Sequence, residues 1–194
     1  MLKDILISEV RVKMLSLLLV ESHGESLHVR DIVRKVGTEI NAVRRELQRM
    51  TRIGLLKRRP RGNKVYYDVN TQFVYYPELI SLVAKEAGLG GELIKKSKDL
   101  GKITYAVMSK AFVRGRVATP MDVDLIVVGS VNADLLKEII LRAEADHKHE
   151  INYTVMGEEE FIFRKRRKEN FIIQLLSQSR IVLLGDEEEF CSLV

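Results

Sequence analysis

The chain has a single cysteine, Cys191, among its 194 residues. One thiol excludes an internal disulfide framework and suits a reducing cytoplasm. No apolar run approaches the roughly 20 residues that span a bilayer. The strongest, MLSLLLV at 14–20, is short and framed by charge. The N-terminus lacks the basic, apolar and small-residue order of a cleavable signal. His23, His28, His147 and His149 have no metal-ligand spacing with one another or with Cys191. His147 and His149 can face one side, but two residues do not make a zinc site. No Ser-His-Asp or Cys-His set follows from spacing. A secreted disulfide scaffold, a membrane span and a zinc module are therefore not expected, and a cytoplasmic protein without a membrane partner is.

Charge is plentiful and uneven. The whole chain carries +5. Residues 1–70 hold 15 Lys and Arg against 8 Asp and Glu, a net +7, while residues 71–194 hold 17 against 19, a net −2. That asymmetry predicts two domains, the first of which meets a polyanion. The composition, 46% hydrophobic and 30% charged, is that of an ordinary folded protein.

In the basic half, Ser8 caps a helix predicted over 9–22, ended by His23-Gly24. A short SLHV precedes a second helix over 30–36, which Gly37 breaks. Thr38 is the N-cap expected for a third helix over 39–53, closed by Gly54. In that helix Ile40, Val43, Leu47 and Met50 repeat at three and four, so one buried stripe is predicted. Asn41, Arg45, Gln48 and Arg52 repeat on another face, flanked by Arg44 and Arg49. Asn, Gln and Arg are the side chains that pair bidentately with adenine or guanine edges in a major groove. Next, strands at 55–58 and 64–69 flank a turn holding Pro60, Arg61, Gly62 and Asn63. Arg58, Arg59, Arg61 and Lys64 load this hairpin with charge suited to phosphates. From 28 to 64 there are 12 basic and 3 acidic residues, a net +9. The alternative is a solvated helix face and an edge strand protected by charge, but an ordinary solvated face mixes its signs.

Helix, short strand, helix, polar-faced helix and basic hairpin, over about residues 5–70, resemble a winged helix-turn-helix domain of bacterial and archaeal regulators. The resemblance implies duplex DNA as partner, with Thr38, Asn41, Arg44, Arg45, Gln48 and Arg52 toward the groove. It puts Arg58, Arg59, Arg61 and Lys64 on the backbone.

After a linker helix started by Pro77 and ended by Gly88, Gly90 and Gly91, and one more helix over 92–100, the second half alternates. The order is strand ITYAVM, loop, strand VDLIVVG, helix over 133–145, strand EINYTVM, helices across 161–179, and strand RIVLLG, an α/β pattern. Arg114-Gly115, then Ala118 to Pro120, then Asp122-Val123-Asp124 follow in close order. Over about residues 92–190 this resembles the minimal nucleotidyltransferases of the polymerase-beta type. The family's two aspartates lie on one strand face and hold two divalent ions with a third carboxylate from a neighbouring strand.

The sequence departs from that pattern. Where the family has Gly-Ser, this chain has Lys110 and Ala111, with Ser109 out of register by two. Met121 stands where a polar residue is usual. The third carboxylate position holds Asn152, and Glu150, two residues earlier on the same strand face, is the local substitute. A bland reading of Asp122 and Asp124 is a polar strand start. Arg164 to Lys168, RKRRK, reads either as a second nucleic-acid patch or as an exposed turn between core Phe161, Phe163, Phe171 and Ile172. Glu158 to Glu160 suits a helix N-terminus, and Asp186 to Glu189 suits another or a frayed end.

The sequence therefore predicts two domains. An α+β winged helix covers 1–72, a linker helix 73–91, and an α/β (α+β) nucleotidyltransferase-like domain with a small mixed sheet 92–194. The function expected is a DNA-binding transcriptional regulator whose second domain is catalytically inactive and serves as sensor, dimer or partner surface. The alternative is an active, metal-dependent nucleotidyltransferase, antitoxin-like or small-molecule-modifying, using Asp122, Asp124 and Glu150. Lys110, Arg114 and Gly115 are its nucleotide contacts, and Asp122 and Asp124 its metal ligands. No cofactor is expected otherwise, Mg2+ or Mn2+ belonging only to a working transferase site. Partners expected are double-stranded DNA, a second copy in a homodimer, and a protein docking on the second domain.

Overall fold

The computed structural model describes residues 2–116, 122–147 and 149–192. The protein is α+β, with two small sheets and no barrel. The chain divides into two compact units. Unit 1 is Met1–Ala87 with Val113–Gly115, and unit 2 is Gly88–Phe112 with Arg116–Val194. No helix among the described residues is long and apolar enough to cross a membrane.

Unit 1 opens with α1 (Leu2–Leu6) and α2 (Glu9–Ser16). Ser8 caps α2, its hydroxyl accepting from the Arg11 N–H at 3.2 Å. The predicted helix to residue 22 runs on as a π-helical turn, Leu17–Glu21, closed by the Ser22 N–H on Leu17 O. Leu17, Leu18, Leu19 and Val20 are all buried. Four consecutive apolar residues need cover on every side, and a 3.6-residue stripe buries only some of them.

Next come β1 (Leu27–His28), α3 (Val29–Val36) and α4 (Ile40–Arg52). The hairpin is β2 (Leu56–Arg61) and β3 (Lys64–Val69), and the sheet order is β1-β3-β2, all antiparallel. Val43, Leu47 and Met50 of α4 are buried as the periodicity predicts. Ile40 is not: it is 37% exposed at the first turn. Thr38 is not the cap either. Gly37 ends α3 in the left-handed conformation, and α4 starts one residue later from Glu39, which makes no side-chain capping bond.

The turn is shorter than expected. Arg61 pairs with Lys64, so only Gly62, at φ +55°, and Asn63 form the loop. Pro60 sits inside β2, opposite Val65. It is tolerated because β2 is an edge strand whose ladder does not need that N–H.

Helix α5 (Tyr76–Ala84) carries its proline in the first turn and buries Tyr76, Ile80, Val83 and Ala84 within unit 1. Gly88 to Gly91 do not end a helix. They open α6 (Gly88–Lys95), which begins unit 2.

In unit 2, α7 (Ser97–Leu100) leads into β4 (Gly101–Ser109) and the single turn α8 (Lys110–Val113). There follow β5 (Leu125–Val131), α9 (Ala133–His147), β6 (Tyr153–Met156), α10 (Glu158–Arg166), α11 (Asn170–Ser177), β7 (Arg180–Leu184) and α12 (Glu187–Cys191). The sheet is mixed, order β6-β5-β4-β7, with β5 and β6 parallel and the other pairs antiparallel. Leu125 to Val128 are at most 1% exposed, as a central strand covered on both faces must be. Val107, Ile126, Val128 and Met156 pack with Phe161, Ile172, Leu175 and Phe190 in one core. Close approach of β4 and β5 requires Gly129, since a Cβ there would stand 2.2 Å from Lys102 O.

One sequence expectation fails and one open alternative closes. Phe163 is not core but 56% exposed, with the Arg167 guanidinium 5.5 Å from its ring. Of the two readings of Asp186 to Glu189, the helix N-terminus holds: the Asp186 carboxylate caps α12 by accepting the Glu189 N–H at 2.9 Å.

Candidate nucleic-acid interface and the aspartate pair

Unit 1 contains an open groove of about 930 Å³, bounded by the N-terminus of α3, by α4 and by the β2–β3 hairpin. From α4 it is lined by Ile40, Arg44, Gln48, Thr51 and Arg52. Residues four apart share a helix face, so 40, 44, 48 and 52 form a single row. Arg58 and Lys64 line it from the hairpin, with Asn63 at the turn. None of the lining residues is acidic.

Two acids of this region, Glu46 and Asp68, have partners within unit 1. Glu46, the one acid on α4, accepts from Arg11 Nε at 3.0 Å and Nη2 at 3.2 Å, and from Arg49 at 3.2 Å. It ties α4 to α2, and it uses Arg49 in doing so. Asp68 on β3 accepts from Ser26 Oγ and pairs with Arg59 Nε at 2.7 Å. Arg61 lies over the Tyr66 ring at 5.4 Å.

The sequence-predicted residues are thus divided. Arg44, Gln48, Arg52, Arg58 and Lys64 come together in the groove. Asn41 and Arg45 are exposed on α4 but do not line it, and Thr38 is half-buried outside it. Arg59 is held by Asp68, and Arg61 by Tyr66. Sequence reasoning missed His28, Arg30, Asn63 and Tyr67. β1 pairs with β3 through Leu27↔Tyr67 and His28↔Tyr66, which carries the start of α3 to the hairpin. The signal was the basic window, which included Arg30 without giving it a role. His28 Nδ1 accepts the Arg30 N–H at 3.3 Å and so caps α3.

In unit 2 the two aspartates sit just before β5. Asp124 is 2% exposed. Its Oδ2 accepts from the Asn152 N–H at 3.0 Å, and its own N–H donates to Asn152 O at 2.7 Å. Burial pushes its carboxyl above the usual range; the Asn152 N–H opposes that, and the Asp122 charge adds to it. Asp122 Oδ1 accepts from Gln178 Nε2 at 3.3 Å, and Asp122 O accepts from Asn152 Nδ2 at 3.1 Å. Asn152, where the sequence resemblance led one to expect a third carboxylate, is therefore a strap between the segments that precede β5 and β6. Glu150 is exposed.

Among the described residues no group of three or more His, Cys, Asp or Glu could hold a metal ion. Two-ion chemistry needs a third carboxylate beside the pair, and the donor set here supplies an amide committed to backbone. The residues do not fit a two-metal centre.

The residues expected from the sequence to contact a nucleotide make local contacts. Ser109, buried at the end of β4, accepts the Ala111 N–H on its Oγ at 3.1 Å. The Lys110 N–H donates to Ser179 O at 2.9 Å. The space beside Ser109, Val123 and Gln178 is about 10 Å³, enough for one water. Arg114 and Gly115 group with unit 1. The Arg114 guanidinium lies 5.1 Å from the Tyr76 ring, and a Cβ on Gly115 would stand 2.4 Å from His23 Cβ. Ala118 to Met121 lie outside the described residues.

Two residues of the RKRRK run are tied into the fold, while Arg166, Arg167 and Lys168 are exposed. Arg164 pairs with Glu160 at 2.7 Å and with Glu169 at 3.4 Å. Lys165 is buried, its Nζ donating to Glu189 O at 3.1 Å and Phe190 O at 3.2 Å.

Comparison with protein-family models, with curated proteins and with solved structures found no match to this chain.

Proposed function

We propose that the protein is a DNA-binding transcriptional regulator. Unit 1 acts as a winged helix-turn-helix, with α4 as the helix that enters a major groove and β2–β3 as the wing along the backbone. Unit 2 acts as a nucleotidyltransferase-like scaffold without catalysis, serving as a sensor, dimer or partner surface. The protein binds paired half-sites as a homodimer, as such domains commonly do.

One observation carries the reading: the α4 row and the hairpin converge on a groove with five Lys and Arg and no acid. A surface with that charge attracts phosphate, and an amide beside arginines offers base-edge contacts. The order β1-β3-β2 behind α3 and α4 supports it.

The test is charge reversal in the groove. Arg58→Glu with Lys64→Glu changes two exposed residues, so the fold is retained. Retention on double-stranded DNA should fall by at least a hundredfold at low salt, while the thermal midpoint stays within about 2 °C. Equal binding by the reversed and natural proteins would refute the proposal.

A further inference from the structure

Resting on the reading of unit 1 as duplex-binding, we propose that Ile40, Arg44 and Gln48 set the sequence preference. In that order they read a T·A, a G·C and an A·T base pair about two base pairs apart in one major groove. Arg52, Arg58, Lys64 and Arg30 then close on phosphates.

Four helical residues rise about 6 Å. Stacked base pairs rise about 3.4 Å, so side chains four apart meet bases about two pairs apart. From Ile40 to Gln48 the row covers about 12 Å, the width of a major groove. Arg52 lies about 6 Å further on, beyond the groove and over its wall, where the phosphates are.

The chemistry follows from the side chains. Ile40 departs from the buried stripe of α4 and is 37% exposed in the groove. Val29, Val65 and Tyr67 add further apolar lining to the groove. An exposed aliphatic side chain in a groove suits the thymine 5-methyl, the one apolar group on that edge. Arg44 forks onto guanine O6 and N7, and Gln48 onto adenine N7 and N6. Cytosine is read by a carboxylate accepting from its amino group. The one acid of α4, Glu46, is bound to Arg11 and Arg49 instead, so no acid of α4 selects cytosine directly.

This divides the α4 side chains differently from their sequence periodicity. Asn41 and Arg45 are the right residue types on a neighbouring face, but the groove does not include them. Arg59 and Arg61 are basic and near, but each already has a partner on β3.

The experiment uses the full chain. A duplex library with a randomised core is retained on the protein, and the enriched sequence is then resynthesised with single-atom changes. Uracil for thymine removes the methyl, and 7-deazaguanine for guanine removes the N7 acceptor. Anisotropy should show 7-deazaguanine weakening the natural protein about tenfold, within the range of one bidentate pair. It should cost Arg44→Ala nothing. Uracil should weaken the natural protein a few-fold and cost Ile40→Ala nothing. Gln48→Ala should relax selection at the adenine alone. Lys64→Ala should weaken every duplex alike and leave the enriched sequence unchanged.

The failures are distinguishable. If no duplex is retained at low salt, the reading of unit 1 as duplex-binding falls. If duplexes are retained but 7-deazaguanine costs Arg44→Ala as much as the natural protein, that reading stands and this assignment is overturned. A sequence preference altered by Lys64→Ala would overturn it as well.

Discussion

A single buried carboxylate decides how the aspartate pair behaves. Asp124 is 2% exposed and takes one backbone N–H, from Asn152. Its charge is disfavoured by burial. An amide keeps the acceptor and removes the charge. Asp124→Asn is therefore expected to leave the melting midpoint of unit 2 unchanged or raised by a few degrees. Asp124→Ala orphans the Asn152 N–H and should cost about 1–3 kcal/mol. Calorimetry of the two variants checks this, and the reverse order would contradict the structural role. The motif Asp-x-Asp was legible in the sequence. Its hydrogen-bond partner was not, because Asn152 lies 28 residues away and reaches it only through the parallel pairing of β5 with β6.

Lys165 makes a second residue-scale prediction. Burial pushes its ammonium below the ordinary lysine range, and the Cys191 sulfur works the other way. Below the folded value both states hold the proton, and the cost of burying charge is fully present. Between the folded value and the unfolded 10.5, the native state has released a proton that the unfolded chain retains. Stability contributed by this group therefore rises with pH across that window. Lys165→Met should abolish the rise, as measured by urea midpoints at alkaline pH. A natural protein and variant with parallel pH profiles would contradict it.

At the level of elements, the joint between α1 and α2 carries strain. Ile7 has φ +53° and is 90% exposed. A β-branched residue pays for the left-handed conformation, and no burial offsets it here. Ile7→Gly should stabilise unit 1 by about 1 kcal/mol, seen as a higher denaturant midpoint with an unchanged slope. A loss of stability would mean that Ile7 packs where the structure leaves it open.

Helices and strands were read well wherever local pattern governs them. Val43, Leu47 and Met50 fall on the buried side of α4, and Ser8 caps α2. Departures occur where a neighbour governs. Gly37 takes the turn that would have made Thr38 a cap, and the β2–β3 register draws Pro60 and Arg61 out of the turn into a strand. Ile40 satisfies the buried periodicity but lies at the first turn of α4, where it is only partly covered.

Over the whole molecule, charge is the feature that composition alone announced and the fold then focused. The basic window of residues 28–64 is spread along two helices and a hairpin in sequence. Folding concentrates Arg30, Arg44, Arg52, Arg58 and Lys64 around one groove and turns Glu46 and Asp68 to internal partners. Which of the basic residues take part could not be read from spacing. The selection depends on β1 pairing with β3 and on acids that claim Arg11, Arg49 and Arg59. The strands of unit 2 occur along the chain where the sequence pattern puts them, while Asp122, Asp124, Ser109 and Asn152 are joined by hydrogen bonds of side chain and backbone.

The most direct measurement of the central claim is duplex affinity by fluorescence anisotropy as a function of salt, between about 50 and 200 mM. With Arg30, Arg52, Arg58 and Lys64 on phosphates, the slope of log affinity against log salt should be about −3.5 for each bound chain. An affinity that is absent, or that does not change across the salt series, would contradict the account.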